Sequence, residues 1–313
     1  MPIIKSGLSR RALLRMGLRI SVVIFLTTAL SYFHLVSVLT KQALDALSKY
    51  VSARGDGESE LFLLAERQTK MMAEEFVRRL KLRGDQDPID EFNQFFVREE
   101  DGFWRVRPEL NDIAHQATLF IRDDVPLDAD LRRRVLTGFH LISEWGPMTQ
   151  NRFFSSYMNM PEQLSINFQP SVDWGREAKP GIDIYVYETV WRSTPEKNPH
   201  RTPFWTSIYF DEGVKQWMVS EVTPADIDGR WVGSVGHDII ISDLIKRTLN
   251  DQLPGTYNII VRGDGDLIAH PALTAQIEKA GGNLNVNQLG DKTLAEMIDL
   301  VVKQQTLPAV VEA

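Results

Sequence analysis

The chain of 313 residues has no cysteine. Disulfides, thiolate metal sites and cysteine nucleophiles are excluded together. The compartment stays open, because many exported domains also lack cysteine. Histidine is scarce, with six residues at His34, His115, His140, His200, His237 and His270. No two stand four apart, so the zinc-binding helix of metalloproteases is missing. There is no Gly-x-Ser-x-Gly elbow and no Gly-rich phosphate loop closed by Lys-Ser/Thr. Positive charge is not in excess: 35 Lys and Arg face 42 Asp and Glu, a net charge of −7. Broad nucleic-acid binding needs clustered basic residues and is disfavoured. Long-period repeats and low-complexity tracts are also missing. Asp264-Gly265-Asp266 opens like a calcium loop, but the twelfth position counted from Asp264 is Ala275, where a bidentate Glu is needed. It reads as a turn, as do Arg54-Gly55-Asp56 and Arg262-Gly263-Asp264. Glu99-Glu100 and Asp123-Asp124 read as solvated surface. The sequence therefore assigns no catalytic residue, no metal site and no cofactor.

What is present begins with apolar material. Hydrophobic residues make up 43% and charged residues 25%, enough to build the core of one large domain or two modest ones. Residues 20–40 carry no Asp, Glu, Lys or Arg. At about 1.5 Å per residue a helix of this length spans the roughly 30 Å hydrocarbon layer of a bilayer. His34 can stay neutral near the outer end, close to Tyr32 and Phe33. A cleaved signal peptide fits less well, since its apolar region is usually about 7–15 residues and Ser37-Val38-Leu39 is a poor cleavage site. Lys5, Arg10, Arg11, Arg15 and Arg19 precede the run without an acid among them, whereas Lys41 and Lys49 after it are offset by Asp45. The positive-inside rule places the N-terminus in the cytoplasm and everything after Lys41 outside.

Beyond the run, residues 41–84 read as a long amphipathic helix. Leu61, Leu64, Ala65, Met71, Met72, Phe76 and Leu80 recur at three- and four-residue steps, and Glu66, Lys70, Glu74, Arg78 and Arg79 supply the other face. Gly55-Asp56-Gly57 is a candidate break, and residues 84–88 end the helix. Such a helix leaving a membrane span is a stalk and often a dimerisation surface. Short helices are expected over 90–96 and 127–145, the second with Leu131, Val135, Leu136, Phe139 and Leu141 inward. Strands are expected over 103–107, 153–157, 165–168, 205–210, 217–222 and 231–241. Residues 195–203 read as a loop and 242–252 as a helix closed by Pro254-Gly255. Residues 257–262 and 267–270 read as a hairpin around 263–266. Helices follow over 272–280 and 292–304, then a run over 307–311.

Four pieces in order carry a family resemblance. They are the stalk helix, Phe204-Trp205-Thr206-Ser207-Ile208-Tyr209-Phe210-Asp211 with Trp217-Met218-Val219-Ser220, Gly229 through Ile239, and Asn258 through Pro271. Together they resemble the bacterial double-Cache sensors, extracytoplasmic regions of transmembrane signalling receptors with two PAS-like domains threaded on one stalk helix. The resemblance implies an α+β fold: a transmembrane helix, a stalk helix, and two Cache domains with antiparallel sheets, the second incomplete here. It implies a cytoplasmic segment at 1–19, the span at 20–40, the stalk at 41–84, a membrane-distal domain at 85–253 and part of a membrane-proximal domain at 254–313. Amino-acid-binding members carry an aromatic and arginine cluster, then Tyr-x-Asp, then a lone Asp on the last strand. Tyr209-Phe210-Asp211 and Asp238 match the later parts. Upstream, Tyr185, Tyr187, Trp191 and Arg192 stand in a different order.

The pocket chemistry also follows from the residues. An arginine holds a carboxylate through paired hydrogen bonds, an aspartate holds an ammonium group, and an aromatic face favours a cation. In a regular strand, Trp205, Ser207, Tyr209 and Asp211 share one face. The expected ligand contacts are Tyr209, Asp211, Asp238, Trp205, Trp191, Arg192 and Tyr187; the alternative makes Trp205 and Tyr209 core and Asp211 a turn residue. Implied partners are a small polar ligand (amino acid, amine or organic acid), the lipid bilayer, and a second copy through the stalk. The implied location is the bacterial inner membrane, with a periplasmic sensor. Other readings are an anchored periplasmic binding or adaptor module without its own output, and an anchored hydrolase. The hairpin alone cannot complete a PAS-like sheet. The reading frame is therefore expected to continue past Ala313 with further strands, a second apolar run and an output domain: a histidine kinase, diguanylate cyclase, serine/threonine phosphatase or chemoreceptor module.

Overall fold

The computed structural model describes residues 7–211, 213–250 and 256–304. The fold is α+β, with a long N-terminal helix and antiparallel sheets. Helix α1 runs Gly7–Arg83. Gly55 and Gly57 do not break it. Each costs about 1 kcal/mol relative to alanine, too little to interrupt a helix with good formers on both sides. It stops at Gly84, whose φ of +72° is the left-handed conformation that ends helices. It is also the one helix among the described residues long and apolar enough to cross a membrane. The side chains of its apolar run stand open, with Phe25 72% and Phe33 69% exposed.

Residues Glu58–Val302 form a compact unit. After α1 come α2 (Ile89–Phe95), β1 (Phe96–Arg98), β2 (Trp104–Val106), β3 (Thr118–Ile121), α3 (Ala129–Thr149), β4 (Ser155–Met160) and β5 (Leu164–Phe168). Then follow α4 (Trp174–Glu177), α5 (Glu188–Trp191), β6 (Phe204–Trp205), β7 (Tyr209–Asp211), β8 (Gln216–Ile227), β9 (Arg230–Ile240) and α6 (Ser242–Asn250). Among the described residues these nine strands make one antiparallel sheet, ordered β1-β2-β3-β5-β4-β9-β8-β6, with β7 also on β8. Strands β8 and β9 are joined at Asp228-Gly229, both at positive φ, a two-residue turn whose twist suits a hairpin. A second sheet holds β10 (Ile260–Val261), β11 (Asp266–Ala269) and β12 (Leu284–Asn285), accompanied by α7 (Thr274–Lys279) and α8 (Lys292–Gln304). The expected hairpin thus gains a third strand. The 307–311 run and the Pro254-Gly255 closure lie outside the described residues.

Two helices cover one face of the large sheet. From α1, Met72, Phe76 and Leu80 join Leu131, Val135, Phe139 and Ile142 of α3 over Met158, Ile166 and Val235 of the sheet. Met71, expected inward, is 55% exposed; Met72 takes its place. Helix α3 starts where the Asp128 side chain accepts the Leu131 amide at 2.7 Å, a side-chain cap. The other face is covered by the segment from α4 to α5: Ala178, Ile184 and Val190 pack on Phe103, Phe120 and Trp231.

The approach of α3 is set by Gly146. A Cβ there would stand 2.3 Å from Cγ of the buried Phe168. Gly146→Ala should therefore destabilise by about 1–3 kcal/mol, the cost of overpacking, although the same change at an open helical site stabilises by about 1 kcal/mol. Urea unfolding checks the sign.

Candidate functional site

The site is built on three neighbouring strands. Ser155 of β4 stands opposite Asp238 of β9, and Asp238 opposite Ser220 of β8. All three side chains therefore project from the sheet face that α4 and α5 cover. Asp238 receives hydrogen bonds on both oxygens. Ser155 Oγ donates to Oδ2, Ser220 Oγ donates to Oδ1 at 2.6 Å, and Tyr209 OH donates to Oδ1 at 3.3 Å. Tyr209 OH also lies 2.9 Å from Ser220 Oγ. Burial raises the Asp238 carboxyl to about 6, against the downward pull of the Ser155, Ser220 and Tyr209 hydroxyls and with some help from the charge of Asp211. The phenol of Tyr209 is raised well above its ordinary value, first by burial and then by the Asp238 charge.

Two residues along the same face lies Tyr157, opposite Gly236. Its ring end rests on that glycine: a Cβ at Gly236 would be 2.5 Å from Tyr157 Cζ and OH. Phe204 and Val222 pack on the ring. The Tyr157 hydroxyl is buried and has no hydrogen-bond partner. A buried polar group without a partner costs about 1–3 kcal/mol, so an orphan beside the half-buried Asp238 carboxylate points to a polar occupant.

The expected contacts divide into three groups. Tyr209 and Asp238 meet directly, and Asp211 is near enough for its charge to act on both. Asp211 Oδ1 also accepts the amides of Gly213 at 2.8 Å and Val214 at 3.1 Å, so it holds its own turn.

Trp205 is a correction. The expected single strand over 205–210 is interrupted at residues 206–208, which breaks the two-residue alternation. Trp205 stands opposite Glu221, turns to the helix face and donates its indole N–H to Glu66 of α1 at 2.8 Å. It therefore does not share a face with Tyr209.

The third group lies at α5, with Trp191 in the helix and Tyr187 and Arg192 at its two ends. Tyr187 is 51% and Trp191 38% exposed. Arg192 pairs with Glu188 at 2.8 Å, donates to the Trp205 carbonyl at 3.0 Å and lies 4.9 Å above the Phe204 ring, which itself packs on Tyr157. Glu188 Oε2 also accepts the Ser207 amide at 2.8 Å, tying α5 to the break between β6 and β7.

Ser155, Ser220 and Tyr157 were not expected. Their signal is long-range register, which no local pattern carries.

No family model matches the chain, and no curated protein does. Solved structures do. The ligand-binding domain of the Pseudomonas fluorescens chemoreceptor CtaA with L-leucine matches at 23% identity and TM-score 0.34, covering 45% of this chain and 53% of that one. The same domain with L-serine matches at 20% identity and TM-score 0.36, covering 76% and 80%. The ligand-binding domain of the Pseudomonas aeruginosa amino-acid chemoreceptor PctC with GABA matches at 17% identity and TM-score 0.32, covering 47% and 59%. These neighbours are ligand-binding domains of receptors. The chain spans little more than half the length of the first and third.

Proposed function

We propose that this chain is the extracytoplasmic ligand-sensing region of a bacterial inner-membrane receptor. Its pocket lies on the sheet face under α4 and α5 and takes a small molecule with a cationic amine. The observation that carries this reading is the half-buried Asp238 carboxyl, held by Ser155, Ser220 and Tyr209 beside the orphaned Tyr157 hydroxyl. A buried carboxylate without a cation is costly, and an ammonium group offsets that cost with charge-assisted hydrogen bonds. Tyr209, Asp211 and Asp238 form the amine end of the pocket. Arg192 stands at the rim for a carboxylate, Tyr187 and Trp191 form the outer wall on α5, and Trp205 links the pocket strands to the stalk. Amino acids and GABA, the ligands named for the neighbouring receptors, have this pair of charges.

In the same reading, residues 1–19 are cytoplasmic, 20–40 cross the bilayer, 41–84 are the stalk, 85–253 bear the pocket and 254–313 belong to a membrane-proximal domain. Leu63 and Met71 are 52% and 55% exposed on the stalk, which suits a homodimer through this helix. Ligand closes the pocket, and the shift passes along the stalk as a change between two packed states.

The test is thermal unfolding of the chain with L-leucine, L-serine and GABA. A ligand at 100 times its dissociation constant adds about 2.7 kcal/mol, a clear rise in melting temperature. Asp211→Ala should lose that rise while the free protein still melts cooperatively. A full rise in the variant would leave Asp211 as a turn residue only. No rise with any amine-bearing probe would overturn the pocket.

A further inference from the structure

The opposite face of the same three strands holds a second buried polar group. One residue before Asp238, His237 stands between Ser156 of β4 and Glu221 of β8. Both His237 and Glu221 are fully buried, with no accessible surface. His237 Nδ1 lies 3.0 Å from Ser156 Oγ, which is 3.1 Å from Thr149 Oγ1 of α3, and its ring stacks on Phe153 with centroids 4.1 Å apart. Above Glu221 lies the stalk: Thr69 Oγ1 is 3.0 Å from Thr223 Oγ1, which donates to Glu221 Oε1 at 3.4 Å. Glu66 of α1 is the charged group acting on Glu221. It accepts the indole N–H of Trp205, whose backbone pairs with Glu221.

Two orphans remain in this seam. Glu221 Oε2 and His237 Nε2 are buried and lack hydrogen-bond partners. Their needs are complementary. With Nδ1–H donated to Ser156, Nε2 keeps a lone pair; a protonated Glu221 carries one O–H to give. Residues directly opposite in an antiparallel ladder have Cβ atoms about 4.5–5.5 Å apart; Glu221 Oε2 and His237 Nε2 are not hydrogen-bonded to each other here, and side-chain rotation brings them within reach of one proton.

We propose that Glu221 and His237 form a binding site for a single proton, and that the bound proton holds the stalk helix onto the sheet. With one proton the pair is neutral overall, whichever residue carries it. Losing it leaves a bare carboxylate under Thr69, and gaining a second leaves an imidazolium beside Phe153. Either charge is buried with hydroxyls around it but no counter-charge, and releasing α1 hydrates it. Burial raises Glu221 to about 8, with the charge of Glu66 adding to the rise, and burial lowers His237 to about 4. The site faces away from the ligand pocket and does not depend on the function proposed for it. It would make the sensor responsive to external pH through the stalk.

The experiment is hydrogen exchange of the full chain in detergent from pH 5 to 9, corrected for the intrinsic rate and read at the α1 amides of residues 62–73. A folded carboxyl at about 8 against an ordinary 4.5 keeps its proton while the opened form has lost it, so stability falls as pH rises. His237 compensates only below 6.5, where the opened imidazole takes up a proton. Between pH 6.5 and 8 the opening constant of α1 should thus rise about tenfold, because half-titration of the opened imidazole at 6.5 and of the folded carboxyl at 8 flattens both ends of the one-proton slope. Glu221→Gln should abolish this rise. A rise that persists in the variant overturns the proposal. If the variant does not fold, the His237 ring nitrogens of the wild-type chain decide by NMR: a neutral ring down to about pH 4 supports it, and titration near 6.5 overturns it.

Discussion

Asp238→Asn is expected to abolish binding of amine ligands and, in the same protein, to stabilise the free domain. The two effects have one cause. The carboxyl is carried from an ordinary 3.8 to about 6, so between these values the folded chain holds a proton that the unfolded chain has lost. Stability from this group is intact below pH 3.8, falls as pH rises through the window, and stays at its lower level above 6. At about 1.4 kcal/mol per pH unit the deficit approaches roughly 3 kcal/mol at pH 7.5, an upper figure for a site that can relax. Asparagine has no charge to bury and still accepts from Ser220 and Tyr209, while Ser155 Oγ can accept its N–H. Urea unfolding at pH 7.5 should therefore show the variant more stable than wild type, and at pH 4 the difference should nearly vanish. Calorimetry at pH 7.5 should show the amine affinity reduced at least 30-fold, since truncating one partner of a buried charge pair costs about 2–5 kcal/mol. A purely structural aspartate would do the reverse at pH 7.5. If the variant is less stable there, or binds amines as well as wild type, the pocket assignment is wrong.

The same linkage gives ligand binding a pH profile. An ammonium ligand needs the ionised carboxylate, so below about pH 6 each ligand bound must displace a proton. Affinity should fall about tenfold per pH unit there and stay flat above. The fall belongs to the ligand face of the sheet, whereas the Glu221 effect lies above pH 6.5 on the helix face. The two titrations can be separated in one protein.

What was legible in the sequence follows the range of the forces involved. The long helix and the inward residues of α3 were plain, because they are local periodicities: Leu131, Val135, Leu136, Phe139 and Leu141 are all buried. Strand β3 carries no such signal. It has four residues, all buried, so no alternation marks it. The length of β8 was missed because Pro224 interrupts the apolar pattern. Yet β6 lies opposite only Val222 and Glu221, so at Pro224 the strand is at the sheet edge, where proline is tolerated. An unbroken strand through residues 206–208 would put Trp205 on the Tyr209 face; the break there, which no local pattern marks, turns it to the helix face. The Ser155–Asp238–Ser220 row was invisible for a different reason. It exists only once β4, β9 and β8 are in register, and the partners are 83 and 18 residues from Asp238. The Asp238 position, in contrast, was found from a resemblance and not from any local rule.

Reversing the charge asymmetry across residues 20–40 should turn the whole chain over. Residues 20–40 expose Phe25, Leu30, Phe33 and Leu35 to more than half of their surface. Apolar area on that scale, ungapped by charge along a helix, costs about 25 cal/mol per Å² in water and finds its match in hydrocarbon. The run itself has no preferred direction; the flanks decide. By the positive-inside rule, five basic residues before it and a nearly balanced segment after it should hold the N-terminus inside. A periplasm-dependent reporter such as alkaline phosphatase, fused after Asn250, should therefore be active, and a cytoplasm-dependent reporter at the same place silent. Replacing Lys5, Arg10, Arg11, Arg15 and Arg19 by glutamine, with lysines added between residues 41 and 49, should exchange the two readings. The effect is close to all-or-none, because each reporter is active in one compartment only. An active cytoplasmic reporter on the unaltered chain would place Asp238 and Glu221 inside the cell, and with them the whole sensing proposal would fall.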